Sequence, residues 1–457
     1  MKTALQALAL ILLLATCSAP APEAARLPQS IPDLPPPRAF GAVEVTPPQR
    51  SNAQMAQDFM DLSFRMESGR ALPVFTRFEG PVRVGVAGRM PPSAAADLAR
   101  VLARLRSEAG VPVTQSGGGP AQITIEFMPR ATLAGLVPEA ACFVAPRVSS
   151  WADYRSARRS GRADWTTLTV RQQAAIFIPN DIAPQEIRDC LNEELAQALG
   201  PLNDLYRLPD SVFNDDNIHS VLTGTDMLML RLTYAPDLSS GMAPQDVAAR
   251  VPGLIARFNP RGGAAGPVFV AQADGRRAYT DAIERALGPG AGVAARRTAA
   301  QSAVSVAEAA GWGDTRTAFA WFVYGRLTAG SDPDTGFQAL LRAASIYRGS
   351  SLTALHSAHV DMQLAAFALS QGDAEAAIAT ADRALPQALR AQNAALTATL
   401  MMVKAEAVEL TGDTAAARAL RLDSLGWARY GFGSSEDVRR RLDDIATLSP
   451  ARRFAKQ

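Results

Sequence analysis

The chain has 457 residues, 48% hydrophobic and 20% charged, enough for two or three packed domains and incompatible with a disordered or collagen-like polymer. Its 46 basic residues are matched by 44 acidic ones, and a formal charge of +2 gives no sign of the concentrated basic face that nucleic-acid binding requires. Three cysteines and three histidines exclude Cys-rich zinc modules, iron–sulfur clusters and disulfide-dense miniature folds, each of which needs more ligands.

The N-terminus reads as an address. Met1 and Lys2 precede an apolar run from Ala4 to Ala15, too short for a hydrocarbon core of about 30 Å and suited to a secretory signal. The run ends on Leu14-Ala15-Thr16-Cys17, which resembles the bacterial lipobox, although Thr16 is an unusual neighbour for the modified cysteine. Residues 1–17 are therefore expected to be a signal with Cys17 as the lipidation site, placing the chain in the cell envelope on the periplasmic side, anchored to the membrane by lipid. Simple secretion, with Cys17 discarded, is the alternative. Residues 18–48 are proline-rich and carry no apolar period, the composition of an extended linker of about 3.1 Å per residue. With Cys17 lipidated, Cys142 and Cys190 remain, and in an oxidising compartment they are expected to pair; two buried free thiols are the alternative.

Folded sequence begins with an amphipathic helix over Asn52–Ser68, with Ser51 as its N-cap. A strand at Val82–Val86, a helix over Pro92–Ala109 with Leu98, Val101, Leu102 and Leu105 on one face, and strands at Gln122–Phe127, Ala141–Val144 and Ala174–Ile178 follow. The next helix starts near Pro184 and stops at Leu199, before Gly200 as C-cap and Pro201. Residues 49–242 thus form an α+β domain. A helical connector (243–300) leads to a helical repeat domain (301–457). Here Asp334, Asp373 and Asp413 each open an apolar helix at offsets of about 39 and 40 residues. That is helical-hairpin repetition of a tetratricopeptide-like kind, although the spacing exceeds the usual 34 or so; an irregular bundle is the alternative. Trp312, Phe319, Trp321 and Tyr324 at helical spacing read as core.

The chemistry-bearing stretch is Cys190-Leu-Asn-Glu193-Glu194-Leu-Ala-Gln197-Ala-Leu-Gly200-Pro-Leu-Asn203. Glu193 and Gln197 share a helix face, as the two histidines of H-E-x-x-H do, and Glu194 stands where the glutamate would handle the water proton. Read against H-E-x-x-H-x-x-G-x-x-H, the glutamate and glycine are present and all three histidines are replaced. The element order, together with Leu222-Thr223-Gly224-Thr225-Asp226 downstream, resembles zincin-like catalytic domains. The stretch from about Gln54 to Met242 also resembles a bacterial envelope family, domain of unknown function 2927. Its likeness rests on Asp58-Phe59-Met60, Arg77-Phe78-Glu79-Gly80-Pro81, Glu193 to Gly200, Asn203-Asp204, Asp210-Ser211-Val212-Phe213 and Gly241-Met242. That resemblance implies the fold and the envelope setting and brings no activity with it.

Amide side chains are poor substitutes for imidazole on zinc, and no cofactor is expected. The expected function is therefore a non-catalytic, envelope-anchored protein whose degenerate peptidase-like domain accompanies helical repeats that bind another envelope protein. The alternative is an atypical metal-dependent hydrolase with Glu194 as general base and a divalent ion such as zinc held by Glu193, Gln197, Asn203 and His219, or a hard cation held by Glu193, Glu194 and Asp204. Read structurally, the same residues hydrogen-bond neighbouring loops, Asn203-Asp204 caps the next segment, and His219 is an exposed loop histidine.

Overall fold

The computed structural model describes residues 34–268 and 276–450; the apolar N-terminal run, Cys17 and residues 18–33 of the proline-rich segment lie outside the described residues. The front part contains α1 (Asn52–Phe64), β1 (Val82–Gly88), α2 (Pro92–Ala109), β2 (Val113–Gln115), β3 (Ile123–Met128), α3 (Arg130–Ala134), β4 (Phe143–Pro146), α4 (Trp151–Ser160), β5 (Ala174–Pro179), α5 (Pro184–Leu199), α6 (Gly224–Thr233) and α7 (Pro244–Phe258). Its sheet has the order β2-β1-β3-β5-β4, parallel throughout except for β4 at one edge. β5 is buried at all six positions because helices cover both faces of the sheet, which explains its unbroken apolar run. Val84, Ile125, Ile176 and Ile178 face α1, α2 and α5, whereas Ala175 and Phe177 face the smaller core under α3 and α4.

The expected helices over 92–109 and 184–199 match α2 and α5. β2 was not anticipated: three residues with only Val113 buried give no period to detect. The first helix ends at Phe64 rather than Ser68, where Arg65 and Ala71 form a bridge across a turn with Gly69 at φ +79. Gly200 is also not a left-handed cap, with φ −164. It is needed for space, because a Cβ there would lie 2.9 Å from the Thr233 methyl group.

The remaining helices are α8 (Arg276–Leu287), α9 (Val293–Ala309), α10 (Thr315–Thr328), α11 (Pro333–Tyr347), α12 (Ala354–Gln371), α13 (Ala374–Arg390), α14 (Ala394–Leu410), α15 (Thr414–Phe432) and α16 (Ser435–Ala446). They stack as the hairpins α8/α9, α10/α11, α12/α13 and α14/α15, with α16 against the last. The second helix of the last three hairpins is capped by aspartate: Asp332, Asp373 and Asp413 accept from Thr335 N, Ala376 N and Ala416 N at 3.1, 3.0 and 2.9 Å. In the first of these the cap is Asp332, not Asp334. Where helices cross closely, Gly336 and Gly431 leave no room for a side chain, since a Cβ would come within 2.6 Å of the Ala329 and Ala395 backbones. The expected connector does not exist as a separate unit. α7 completes the front core with Val247, Val251, Leu254 and Ile255, and α8 and α9 share a core with α10 and α11.

The two parts pack on each other through the first helix of each hairpin and, at the last hairpin, through its second helix α15 as well. Tyr206 stacks on Phe319 of α10 and meets Tyr279 of α8 edge-on, and Asp216 accepts from His356 of α12 at 2.9 Å. Gln185 of α5 bonds Asn393 and the Ala395 amide at the start of α14 (3.1 and 2.9 Å), and Tyr430 of α15 donates to Asp97 at 2.7 Å.

Residues 34–50 are not a free linker. Without regular secondary structure, they run as a strap across this junction. Arg38 pairs with Asp423 at 2.6 Å, Phe40 sits 4.7 Å from the Trp427 ring and 5.8 Å from Tyr430 with the Arg188 guanidinium over its face, and Gln392 donates to the Gly41 and Ala42 carbonyls. Thr46 lies so close to Gly224 that a Cβ there would meet its carbonyl oxygen at 1.8 Å. The strap ends in Arg50, buried between Asp58 and Asp210. Proline composition reports the extended conformation correctly but is silent on whether a few large side chains give it somewhere to dock. Phe40→Ala is expected to cost about 3 kcal/mol and to speed hydrogen exchange at the Arg38 amide, which donates to Gly426 O, without affecting α2; unchanged exchange there would show that the strap is held elsewhere.

Candidate functional site

The site is built around α5, which is polar in sequence yet buried along most of its length. A helix so placed needs partners for every polar group. At its N-terminal end Arg188 donates to the Gln392 carbonyl and lies over the Tyr430 ring. In the middle, Cys190 is disulfide-bonded to Cys142, just before β4, and Asn192 accepts from the Leu222 amide at 3.2 Å. The expected pairing of the two cysteines is thus present, closing a loop that in the chain-entropy view stabilises the fold by about 4 kcal/mol. The C-terminal end is capped by Arg171. Its guanidinium donates to the carbonyls of Gln197 (2.6 Å), Ala198 (2.8 Å) and Gly200, and it lies 4.9 Å from the centre of the Trp165 ring. A cation completes the open carbonyls and the negative end of the helix dipole together. Burial nevertheless lowers the Arg171 pKa to about 10.

Glu193 and Gln197 share a face, as their spacing requires, and that face looks onto other acids. Gln197 Nε2 donates to Asp204 Oδ2 at 3.1 Å. Asp204 also shares a hydrogen bond with the Glu67 carboxyl, and Asp215 bonds the Tyr206 hydroxyl. Burial, then the charges of Glu67 and Asp215, push the Glu193 carboxyl up to about 8; burial and Glu67 push Asp215 up to about 7. Asp204 is driven well above the carboxylate range by burial and by Glu67. Glu194 points elsewhere, toward the Val144 amide of β4, with its Oε2 buried and without a partner. Its carboxyl is also held far up, by burial and then by Glu193. These groups are held as neutral acids at the pH where an isolated carboxylate is ionised.

The residues considered as ligands do not converge. Asn203, at the third histidine place, donates to the Asp61 carbonyl at 3.0 Å and faces α1; its neighbour Asp204 reaches the motif helix instead. His219 is not an exposed loop residue. It is half-buried, with Nε2 3.1 Å from the Pro209 carbonyl and its ring 5.7 Å from His356. Among the described residues no group of three or more His, Cys, Asp or Glu is disposed to hold a metal ion. A protonated Glu193, an amide already spent on Asp204 and an Asn203 turned away are a poor donor set for zinc, and the residues present do not fit it.

The acids border a cleft of about 340 Å³ between the two parts of the molecule, in which Glu67, Asp204 and Tyr206 face Tyr279, Trp312 and Arg316. Trp312 is therefore a wall of the cleft as well as a core residue, held by Arg316 stacked 3.7 Å from its ring centre. Below, Arg207 ties Asp58 to Asp61 at 2.6 and 2.8 Å. Downstream, Asp226 is fully buried. It caps its own helix through Thr223 and fixes Ser211 (2.5 Å) and the Val212 amide (3.2 Å), which accounts for the spacing between Asp210-Ser211-Val212-Phe213 and α6. Glu67 and Arg171 escape a reading by motif. Glu67 falls where the helical period was continued too far, and Arg171 sits in a loop whose sequence carries no sign of its burial.

Structurally this is an α/β domain with one antiparallel edge strand, docked on an array of helical hairpins. Residues 52–253 match the model of the family described as protein of unknown function (DUF2927). No curated protein and no solved structure matches the chain.

Two consequences can be measured. Because the Glu193 pKa is raised in the folded protein, the folded state holds its proton where the unfolded chain has lost it; that stability is complete below about pH 4 and is lost as pH climbs toward 8. Glu193→Gln is therefore expected to raise Tm at pH 9 relative to the parent and to change it much less at pH 5; an equal shift at both would contradict a buried, protonated acid. Arg171→Met, which leaves three carbonyls without their donor, is expected to lose about 3 kcal/mol in chemical denaturation, and Arg171→Lys to recover only part of it.

Proposed function

We propose that this is a non-catalytic envelope protein in which a zincin-like domain serves as a recognition and scaffold module, with the helical repeats contributing the surface for another envelope protein. The fold reading draws support from the element order of helix, strand, helix, strands and motif helix, with α5 following β5 directly. The observation that carries the functional reading is the disposition of the motif side chains. Gln197 is bonded to Asp204, Asn203 to the Asp61 carbonyl, and burial raises the Glu193 carboxyl to about 8, so the positions that bind metal in a zinc peptidase are here engaged in hydrogen bonds within the front domain or held toward the neutral form.

The repeats' side lined by α8, α10, α12 and α14 is covered by the chain's own front domain. A partner would meet α11 and α13, where Leu341 and Leu389 are exposed, and the side of α15 that carries the exposed Leu422. The N-terminal apolar run and Cys17 supply the proposed lipid anchor. No helix among the described residues is long and apolar enough to cross a membrane.

The test is metal analysis of the purified full chain combined with hydrolysis assays on peptide substrates. The expected result is less than stoichiometric divalent metal and a Tm unmoved by chelator. Stoichiometric zinc together with hydrolysis that Glu194→Gln abolishes would establish the hydrolase instead.

A further inference from the structure

The total charge of +2 conceals a local excess. Between residues 147 and 162 stand Arg147, Arg155, Arg158, Arg159 and Arg162 with Asp153 as the sole acid, a local balance of 5 − 1 = +4, so the rest of the chain sums to 2 − 4 = −2. Most of this charge lies on α4. Arg155, Arg158 and Arg159 are exposed and make no ion pair among the described residues, unlike Arg50, Arg207 and Arg421, which are each matched to two acids. Arg155 and Arg159, one turn apart, flank a shallow hollow floored by Ala152, Ser156 and Ser160. Asp153 is already engaged by Arg162.

The helix is also held rigidly. Trp151 and Tyr154 pack on Phe143 and Phe177 from below, at ring separations of 5.0 to 6.3 Å, Ala157 is buried, and Ser150 caps the N-terminus. An amphipathic helix whose apolar side is committed to the core and whose outer side carries unpaired guanidinium groups presents a fixed cationic face.

We infer that the outer face of α4 docks on anionic phospholipid headgroups of the membrane that the N-terminal apolar run addresses, and so orients the body on the bilayer. Charge complementarity carries this. Each guanidinium close to an anionic bilayer contributes about fivefold to partitioning, so three multiply to roughly a hundredfold, which is weak alone and effective beside an anchor that already confines the chain to the surface. Nucleic acid is the less suitable occupant. The aromatic rings of α4 are turned into the core, where no base can stack on them, and an exported chain does not meet chromosomal DNA.

The experiment uses the full chain carrying Cys17→Ser, so that no acyl group contributes, and measures co-sedimentation with phosphatidylglycerol vesicles and with phosphatidylcholine vesicles. The apolar N-terminal run acts equally on both, and the ratio of the two partition coefficients isolates the charge term. The ratio is expected to be about 100 at low salt and to collapse at 0.5 M salt or on Arg155→Gln/Arg158→Gln/Arg159→Gln, while the triple lysine variant retains most of it. Unchanged thermal melting of the glutamine variant separates this from misfolding. A ratio near one for the parent chain would overturn the inference, as would an unchanged ratio in the glutamine variant or tighter binding to duplex DNA than to the anionic vesicles through the same arginines.

Discussion

Everything in this molecule is arranged around a polar helix that is buried. α5 lies under the sheet on one side and meets the helical array on the other, and its sequence is rich in groups that tolerate burial only when paired. Arg188 and Gln185 find partners across the junction, Asn192 finds one in the Leu222 amide of the front domain, and Arg171 completes the last turn. The front and rear of the protein are consequently not two beads on a string. Removing any of these partners would leave a donor or acceptor in the interior, where the cost of an unmade hydrogen bond exceeds the net gain from a made one.

The same burial shifts the acids. Desolvation, reinforced by Glu67 and Asp215 at Glu193 and by Glu193 and Glu67 at Glu194, favours the protonated forms of both glutamates. A protonated acid can hydrogen-bond a neighbouring carboxyl, as Asp204 does with Glu67, and the pair then acts as a polar filler at the edge of the cleft. A bound divalent cation would reverse this by repaying the cost of ionisation, but imidazole or carboxylate donors must then converge on one point. Asn203 and His219, facing α1 and His356, do not.

How far the sequence alone could be read follows from the range of each signal. Long periodic elements such as α2 and α5 were legible because burial repeats every turn, and the hairpin period was legible because the last two hairpins reuse the aspartate cap at Asp373 and Asp413. What failed was local or cooperative. β2 is too short for a period, and the end of α1 depends on a turn that Gly69 permits, so Glu67 was hidden within an extended helix. The docking of Phe40 depends on Trp427 and Tyr430, nearly four hundred residues away. Whole-chain charge failed for a related reason: a sum over 457 residues cancels the arginines of α4 against acids on other surfaces. The motif was found by its pattern, yet the pattern could not show that Asp204 rather than Asn203 turns toward Gln197.

The junction also gathers all three histidines of the chain, and their linkage to pH runs opposite to that of the acids. His219 is held below its ordinary value by burial and by His356, and His359 is lowered to about 3 by burial and then by the same neighbour. A histidine with a depressed folded pKa binds fewer protons folded than unfolded, so its contribution is present above about pH 6.5 and is lost as pH falls. The raised acids, Glu193 near 8 and Asp189 and Asp215 near 7, lose their contribution as pH rises. Between the two limbs lies a window close to neutrality where neither set is fully penalised. Because His356 of α12 meets Asp216 of the front domain directly, while Asp215 bonds Tyr206 in the wall of the cleft between the same two bodies, both limbs act on one interface. Loss of fit at either extreme is therefore expected first as separation of the repeats from the front domain, with the sheet, stapled by Cys142 and Cys190, persisting longer.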